Sequence, residues 1–336
     1  MTRAWFRGVL IGLAALLGAE GVSAEQLAKT AFGAMKLPAA AKPEVFGFYS
    51  KGCFQGGVAI ATDGPHWQAM RLSRNRRWGH PRLISVLERL SRDGASVGWN
   101  GLLIGDISQP RGGPMLTGHA SHQLGLDADI WFTPMPDKRI SRDEREKVSA
   151  VSMLKGDGLY VDDRLWTPAH EAVLRTAASY KEVERILVHP GIKKKLCDTV
   201  TGDRSWLRKV RPFWGHNYHF HLRVSCPSDS PGCKGQEAPP KGEGCDASLA
   251  WWFTDEPWRK SEGPEKPKAR DVMKLSALPA ACMKVLAEPG PASEAAVTVG
   301  GDGGVATAST AAAKPVEANA FAPVPKVPLP EPRPQP

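Results

Sequence analysis

Two segments about a hundred residues apart hold most of the side chains that could do chemistry. They are Gly118-His119-Ala120-Ser121-His122-Gln123-Leu124-Gly125-Leu126-Asp127-Ala128-Asp129 and His216-Asn217-Tyr218-His219-Phe220-His221, and they contain five of the nine histidines. Imidazole and carboxylate are the borderline donors that suit Zn²⁺, and two His with one Asp leave a fourth coordination position open to water. An open position marks a catalytic metal; a zinc that only braces a fold is normally closed by a fourth protein ligand.

Such ligands must be brought together by regular structure. Residues 218–224 alternate, so on a strand His219 and His221 share one face while Phe220 and Leu222 turn into the core. Residues 127–132 begin with the same alternation, which places Asp127 and Asp129 on one side and leaves either of them eligible as a ligand. If the strand bearing Asp129 lies beside the strand bearing His221, with His122 on the loop entering it, three ligands converge. A helical zincin would need His-Glu-x-x-His, and His170-Glu171 lacks the second histidine. Elsewhere Leu83, Val86, Leu87 and Leu90 follow one helix face after Pro81, and residues 169–179 read as helix after Pro168. Residues 102–104 and 186–188 read as short strands. Without regular β-α-β alternation the pattern indicates an α+β fold: a central antiparallel sheet with flanking helices and loops, stapled by disulfides, with the zinc site on the sheet.

The ends are of different character. Residues 1–24 carry Arg3 and Arg7, an apolar run and Val22-Ser23-Ala24, the pattern of a secretory signal cleaved before Glu25 and too short to span a bilayer as an anchor. Residues 25–285 are expected to form the catalytic domain. Residues 286–336, rich in Ala, Pro, Gly and Val, are expected to be a disordered tail. An even set of six cysteines on an exported chain favours three structural disulfides over thiolate metal ligands, and no Cys-x-x-Cys occurs. The formal charge of +9 suits nucleic acid, an anionic membrane or an anionic polymer, and export argues against nucleic acid. Lys193-Lys194-Lys195 and residues 204–211 are the densest basic stretches, readable as a solvated face or as substrate steering.

The paired motif His122-x6-Asp129 and His219-x-His221 resembles that of lysostaphin-type peptidases, D-alanyl-D-alanine peptidases and the hedgehog amino-terminal domain. It is most similar to the penicillin-insensitive murein endopeptidase family, through Gln109-Pro110-Arg111-Gly112-Gly113-Pro114, Gly118-His119-Ala120-Ser121-His122-Gln123, Trp206-Leu207-Arg208-Lys209-Val210-Arg211-Pro212, His216-x-x-His219-x-His221 and all six cysteines. The resemblance covers residues 43–285. It implies His122, Asp129 and His221 as zinc ligands, with family spacing choosing Asp129 over Asp127. It also implies His219 as general base or transition-state stabiliser and His216 as its hydrogen-bonding support. The implied disulfides are Cys53–Cys282, Cys197–Cys245 and Cys226–Cys233. A second zinc at a subunit contact would draw on positions aligning near His119, Asp157 and Tyr160. His119 and Asp157 are therefore secondary candidates, and tyrosine at 160 in place of histidine removes a ligand. The implied substrate is peptidoglycan, cleaved in the periplasm at D-alanyl-meso-diaminopimelyl cross-links, with a homodimer as one option.

Competing signals are weaker. Ser152-Met153-Leu154-Lys155 matches the Ser-x-x-Lys of penicillin-binding serine enzymes, but no Lys-Thr-Gly accompanies it. Trp251-Trp252-Phe253 reads first as core packing and second as a platform for sugar rings. Asp106 and Arg111 are eligible to line the cleft, although turn chemistry accounts equally for Asp106. The alternative activities are D-alanyl-D-alanine carboxypeptidase or dipeptidase action, and a peptidoglycan-binding module with an idle zinc.

Overall fold

The computed structural model describes residues 25–156, 158–260 and 262–299. The expected leader (1–24), Asp157 and the tail from residue 300 lie outside them. Helix α1 (Ala28–Gly33) precedes strands β1 (Glu44–Phe48), β2 (Lys51–Gln55), β3 (Val58–Ile60), β4 (Asp63–Gly64), β5 (Trp67–Ala69) and β6 (Trp78–Gly79). Next come α2 (Pro81–Ser96), β7 (Leu102–Ile104), β8 (Asp127–Trp131), α3 (Arg142–Lys147), α4 (Pro168–Ser179), β9 (Val183–Val188), α5 (Pro190–Thr199), β10 (Val210–Pro212) and β11 (His219–Val224). The C-terminal part adds α6 (Ala247–Ala250), α7 (Ala269–Val272), α8 (Ala281–Ala287) and β12 (Thr298–Val299).

Seven strands form the main sheet in the order β10-β9-β11-β8-β7-β5-β4. The pairs β9/β11, β11/β8 and β8/β7 are antiparallel, whereas β10/β9 and β5/β7 are parallel. The α+β class holds, but the sheet is mixed where a purely antiparallel one was expected. The reason lies in the connections: α2 carries the chain from β5 to β7 and α5 carries it from β9 to β10, and a helical crossover returns the chain in the same direction.

One face of this sheet is covered by helices. Leu83, Val86, Leu87 and Leu90 of α2 and Val173 and Leu174 of α4 share one core with Phe220 and Leu222 of β11 and Ala128 and Ile130 of β8. Phe220 and Leu222 are fully buried, and burial of such side chains contributes about 1.5–3 kcal/mol each. Alternation therefore commits His219, His221, Asp127 and Asp129 to the other face, since a one-residue slip would drive the histidines into the apolar core.

The isolated histidines have local work. The His80 side chain accepts the Arg82 N–H (3.1 Å) to cap α2 ahead of Pro81, and His189 accepts the Gly191 N–H (3.1 Å) to cap α5 ahead of Pro190. His170 stacks on Trp166 at 4.9 Å between ring centroids and closes the first turn of α4 with Thr167.

Three disulfides staple the periphery. Cys53–Cys282 ties β2 to α8, Cys197–Cys245 ties α5 to the segment before α6, and Cys226–Cys233 closes a loop just after β11. Arg111 does not line a cleft: it is buried and donates to the carbonyls of Val285 (2.6 Å), Leu286 (3.0 Å) and Glu288 (2.6 Å), clamping the end of α8. The segment after α8 continues in contact with the core, because Thr298–Val299 pairs with β3. The low-complexity stretch expected from residue 286 thus begins with ordered chain.

The basic run on α5 is not a free cationic face. Lys193 is fully buried and donates to Leu207 O (2.8 Å) and Glu243 O (2.6 Å), while Lys194 and Lys195 pair with Asp198 (2.8 Å) and Asp163 (2.9 Å).

Candidate metal centre

β8 and β11 run side by side with His221 directly opposite Asp129 and Arg223 opposite Asp127. His122 enters from the loop before β8. Its Nε2 lies 3.1 Å from His221 Nδ1 and 3.3 Å from Asp129 Oδ1, and His221 Nδ1 lies 3.2 Å from the same Asp129 oxygen. These three atoms form a nearly equilateral triangle. Donors about 2.0–2.1 Å from a tetrahedral zinc stand about 3.3–3.4 Å from one another, so the donor set and its spacing fit such an ion.

The ring nitrogens turned away from the triangle face acceptors. His122 Nδ1–H donates to Ile107 O (2.5 Å), leaving Nε2 as the lone-pair nitrogen. His221 Nε2 lies 3.2 Å from Asp127 Oδ1, an ion-pair contact without hydrogen-bond geometry, and Nδ1 is the nitrogen turned to the centre. Asp127 is itself held by Arg223 Nε (2.7 Å), Arg223 Nη2 (3.0 Å) and the His122 N–H (3.0 Å). Its oxygens are committed behind the histidines, and Asp129 is the carboxylate that faces the triangle.

His122 adopts a left-handed backbone conformation (φ 67°), which costs a non-glycine residue about 1–3 kcal/mol. Two bonds hold it there: its N–H to Asp127, and its carbonyl, which accepts from the Ser108 hydroxyl. His216 is also left-handed (φ 55°) and follows Gly215 (φ 67°).

Charge in this buried cluster follows from burial opposed by neighbours. Burial disfavours the charged form of His221, yet Asp127 and Asp129 outweigh it and push its pKa up to about 9. For His122 burial wins and the pKa falls. Burial also brings His219 down to about 4 despite the attraction of Asp129. Asp129 is held well below the usual carboxylate range because His219, His122 and His119 outweigh its burial.

His219 Nε2 stands 3.5 Å from Asp129 Oδ1, and its Nδ1 is buried with no hydrogen-bond partner among the described residues. The His216 ring lies 4.9 Å from that of His219 and 5.8 Å from that of His221, and its Nδ1–H donates to Trp214 O (2.7 Å). Trp214 packs against Trp252 at 4.7 Å and donates to Pro257 O (3.0 Å). Trp252 is buried. The aromatic run thus underpins the loop bearing His216, in keeping with core packing.

His119 belongs to the same centre. Its Nδ1 is 3.5 Å from Asp129 Oδ2 and its Nε2 is 2.9 Å from Asp106 Oδ2. Ligand atoms of His119, His122 and Asp129 all fall within 4.8 Å of one another, so this trio too could hold a metal ion. The triangle through His221 is tighter, and His119 is already turned toward Asp106. Tyr160 is exposed and packs on Phe253 at 5.5 Å. Asp157 is outside the described residues.

Sequence reasoning passed over the Arg223–Asp127 pair, although Arg223 sits two residues beyond His221 on the same strand face. It also passed over Arg74 and Arg76, which reach Asp106 Oδ2 at 3.1 and 2.9 Å. Asp106 is at the site because its carbonyl accepts the Asp129 N–H (3.0 Å).

Residues 45–287 match the family model described as penicillin-insensitive murein endopeptidase. A protein of that name from Pectobacterium atrosepticum is 41% identical over 258 residues, covering 76% of this chain and 91% of the relative. One from Haemophilus influenzae is 40% identical over 74% of this chain and 84% of its own length, and one from Escherichia coli O1:K1 is 38% identical over 78% and 96%. The match spans both halves of the histidine and aspartate centre, and the chain belongs to the penicillin-insensitive murein endopeptidases, a family of metallopeptidases.

Proposed function

We propose that this chain hydrolyses the peptide cross-links of peptidoglycan, at the amide joining D-alanine to meso-diaminopimelate, with a zinc ion held by His122, Asp129 and His221. The observation that carries this reading is the triangle of two imidazole nitrogens and one carboxylate oxygen, 3.1 to 3.3 Å apart, with His122 backed by Ile107 O and His221 by Asp127. A divalent cation held by these three residues would polarise a carbonyl and acidify water to a pKa of about 7.

The protein's own groups supply the proton handling. His219 is neutral at pH 7, the form that accepts a proton, and its Nε2, 3.5 Å from Asp129 Oδ1, faces the centre, where it takes a proton and delivers it to the departing amine. His216 is held by Trp214 O and keeps a second neutral imidazole beside His219. No acylated serine takes part, so a β-lactam has no target in this chemistry. Action in the periplasm is supported by the three disulfides, which persist in oxidising compartments. No described helix is long and apolar enough to cross a membrane.

The test is digestion of purified murein. Released muropeptides should shift from dimers to monomers, the shift should survive penicillin, and a chelator should abolish it. Intact dimers after incubation with zinc-loaded protein would refute the endopeptidase reading.

A further inference from the structure

Three arginines crowd the Asp106 side of the centre, and they are not equivalent. Arg71 donates Nη1 to Arg145 O (2.7 Å) and Nη2 to Val148 O (2.6 Å), with its guanidinium 5.4 Å from the centre of the Trp131 ring. Arg76 gives Nη1 to Asp106 Oδ2 (2.9 Å) and Nη2 to Thr117 O (2.9 Å) and Oγ1 (3.1 Å). Both are consumed by the fold. Arg74 gives only Nη1 to Asp106, at 3.1 Å, and its Nε and Nη2 make no hydrogen bond among the described residues. Its side chain is 48% exposed, whereas that of Asp106 is 3% exposed.

The turn that presents Arg74 is a built one. It is a single 3-10 turn (Leu72–Arg74) between Arg71 (φ 56°) and Asn75 (φ 52°), and it is pinned where the Ser73 N–H and hydroxyl each donate to Glu146 at 2.8 Å. Asp106 is met by two guanidinium groups and by His119, so it does not neutralise Arg74. A half-exposed guanidinium, also in the field of Glu146, is therefore linked through Asp106 and His119 to Asp129. The Tyr218 ring packs 4.5 Å from that of His219.

The planar fork of arginine recognises carboxylates. In a D-alanyl-diaminopimelyl bond, the amide nitrogen sits on a carbon that also bears a free carboxylate. We propose that Arg74 is a specificity residue that binds this substrate carboxylate and so selects the bond to be cut. The inference rests on the cross-link reading above.

Its test uses two cross-linked muropeptide dimers that differ only in whether that carboxylate is free or amidated, with kcat/KM measured for the full metal-loaded chain. Wild type should favour the free acid by about 10- to 100-fold, the effect of one charge-assisted contact. Arg74→Gln should bring the ratio near unity, and Arg74→Lys should keep part of it. A merely structural role for Arg74 would lower both values together and leave the ratio unchanged. An unchanged ratio in Arg74→Gln, or a wild type with no preference, overturns the assignment. A wild type inert on both dimers removes the endopeptidase reading and this inference with it.

Discussion

Arg223 Nε and Nη2 grip the two oxygens of Asp127 at 2.7 and 3.0 Å, directly behind the imidazole of His221. Supporting carboxylates of this kind fix the tautomer and angle of a ligand histidine. Asp127→Asn should weaken metal affinity about 10- to 100-fold. It should also cost about 3–5 kcal/mol of stability by leaving Arg223 buried without its counter-ion. Competition with a chromophoric chelator measures the first effect and thermal melting the second; an unchanged affinity would show that Asp127 does not orient His221.

Removing the proposed proton carrier should separate chemistry from metal binding. His219→Gln is expected to retain stoichiometric metal while kcat for dimer cleavage falls by about 10²- to 10⁴-fold. Loss of the metal along with the activity would reassign His219 as a ligand.

Much of this arrangement was legible because a strand has a period of two. Phe220 and Leu222 had to be buried, so His219 and His221 had to share the opposite face, and Asp127 and Asp129 obeyed the same rule. What periodicity could not supply was register. Knowing that Arg223 faces Asp127 requires the pairing of β8 with β11, and only that pairing shows which aspartate is already committed. Asp106, Arg74 and Arg76 meet across loops, where no spacing rule applies. The parallel pairs were missed because β5, β7 and β10 are three residues each, too short for a pattern to declare direction.

Acid should destabilise the fold through the two capping histidines. Burial lowers both His80 and His189 to about 4, against about 6.5 unfolded. Between these values the unfolded chain binds the protons and the native one does not, so stability is present above pH 6.5 and drains away toward pH 4. The loss is at most about 3 kcal/mol for each group. Melting temperature at pH 7 and at pH 4.5 should fall less for His80→Asn/His189→Asn, in which asparagine still caps but does not titrate. Equal falls would assign the acid sensitivity elsewhere.

The disulfides should differ in weight. Cys53–Cys282 closes 229 residues and Cys226–Cys233 only 7. On loop-closure entropy, removing the first should cost about 5 kcal/mol and the second about 2 kcal/mol. Denaturant melts of paired Cys→Ala variants give the comparison, and a larger cost for the short loop would point to native-state geometry in place of chain entropy.

Crystals of the zinc-loaded protein, measured at the zinc absorption edge, locate the ion itself. An anomalous peak is expected about 2.0–2.1 Å from each of His122 Nε2, Asp129 Oδ1 and His221 Nδ1. A peak coordinated by His119 in place of His221, or none between β8 and β11, would contradict the proposed centre.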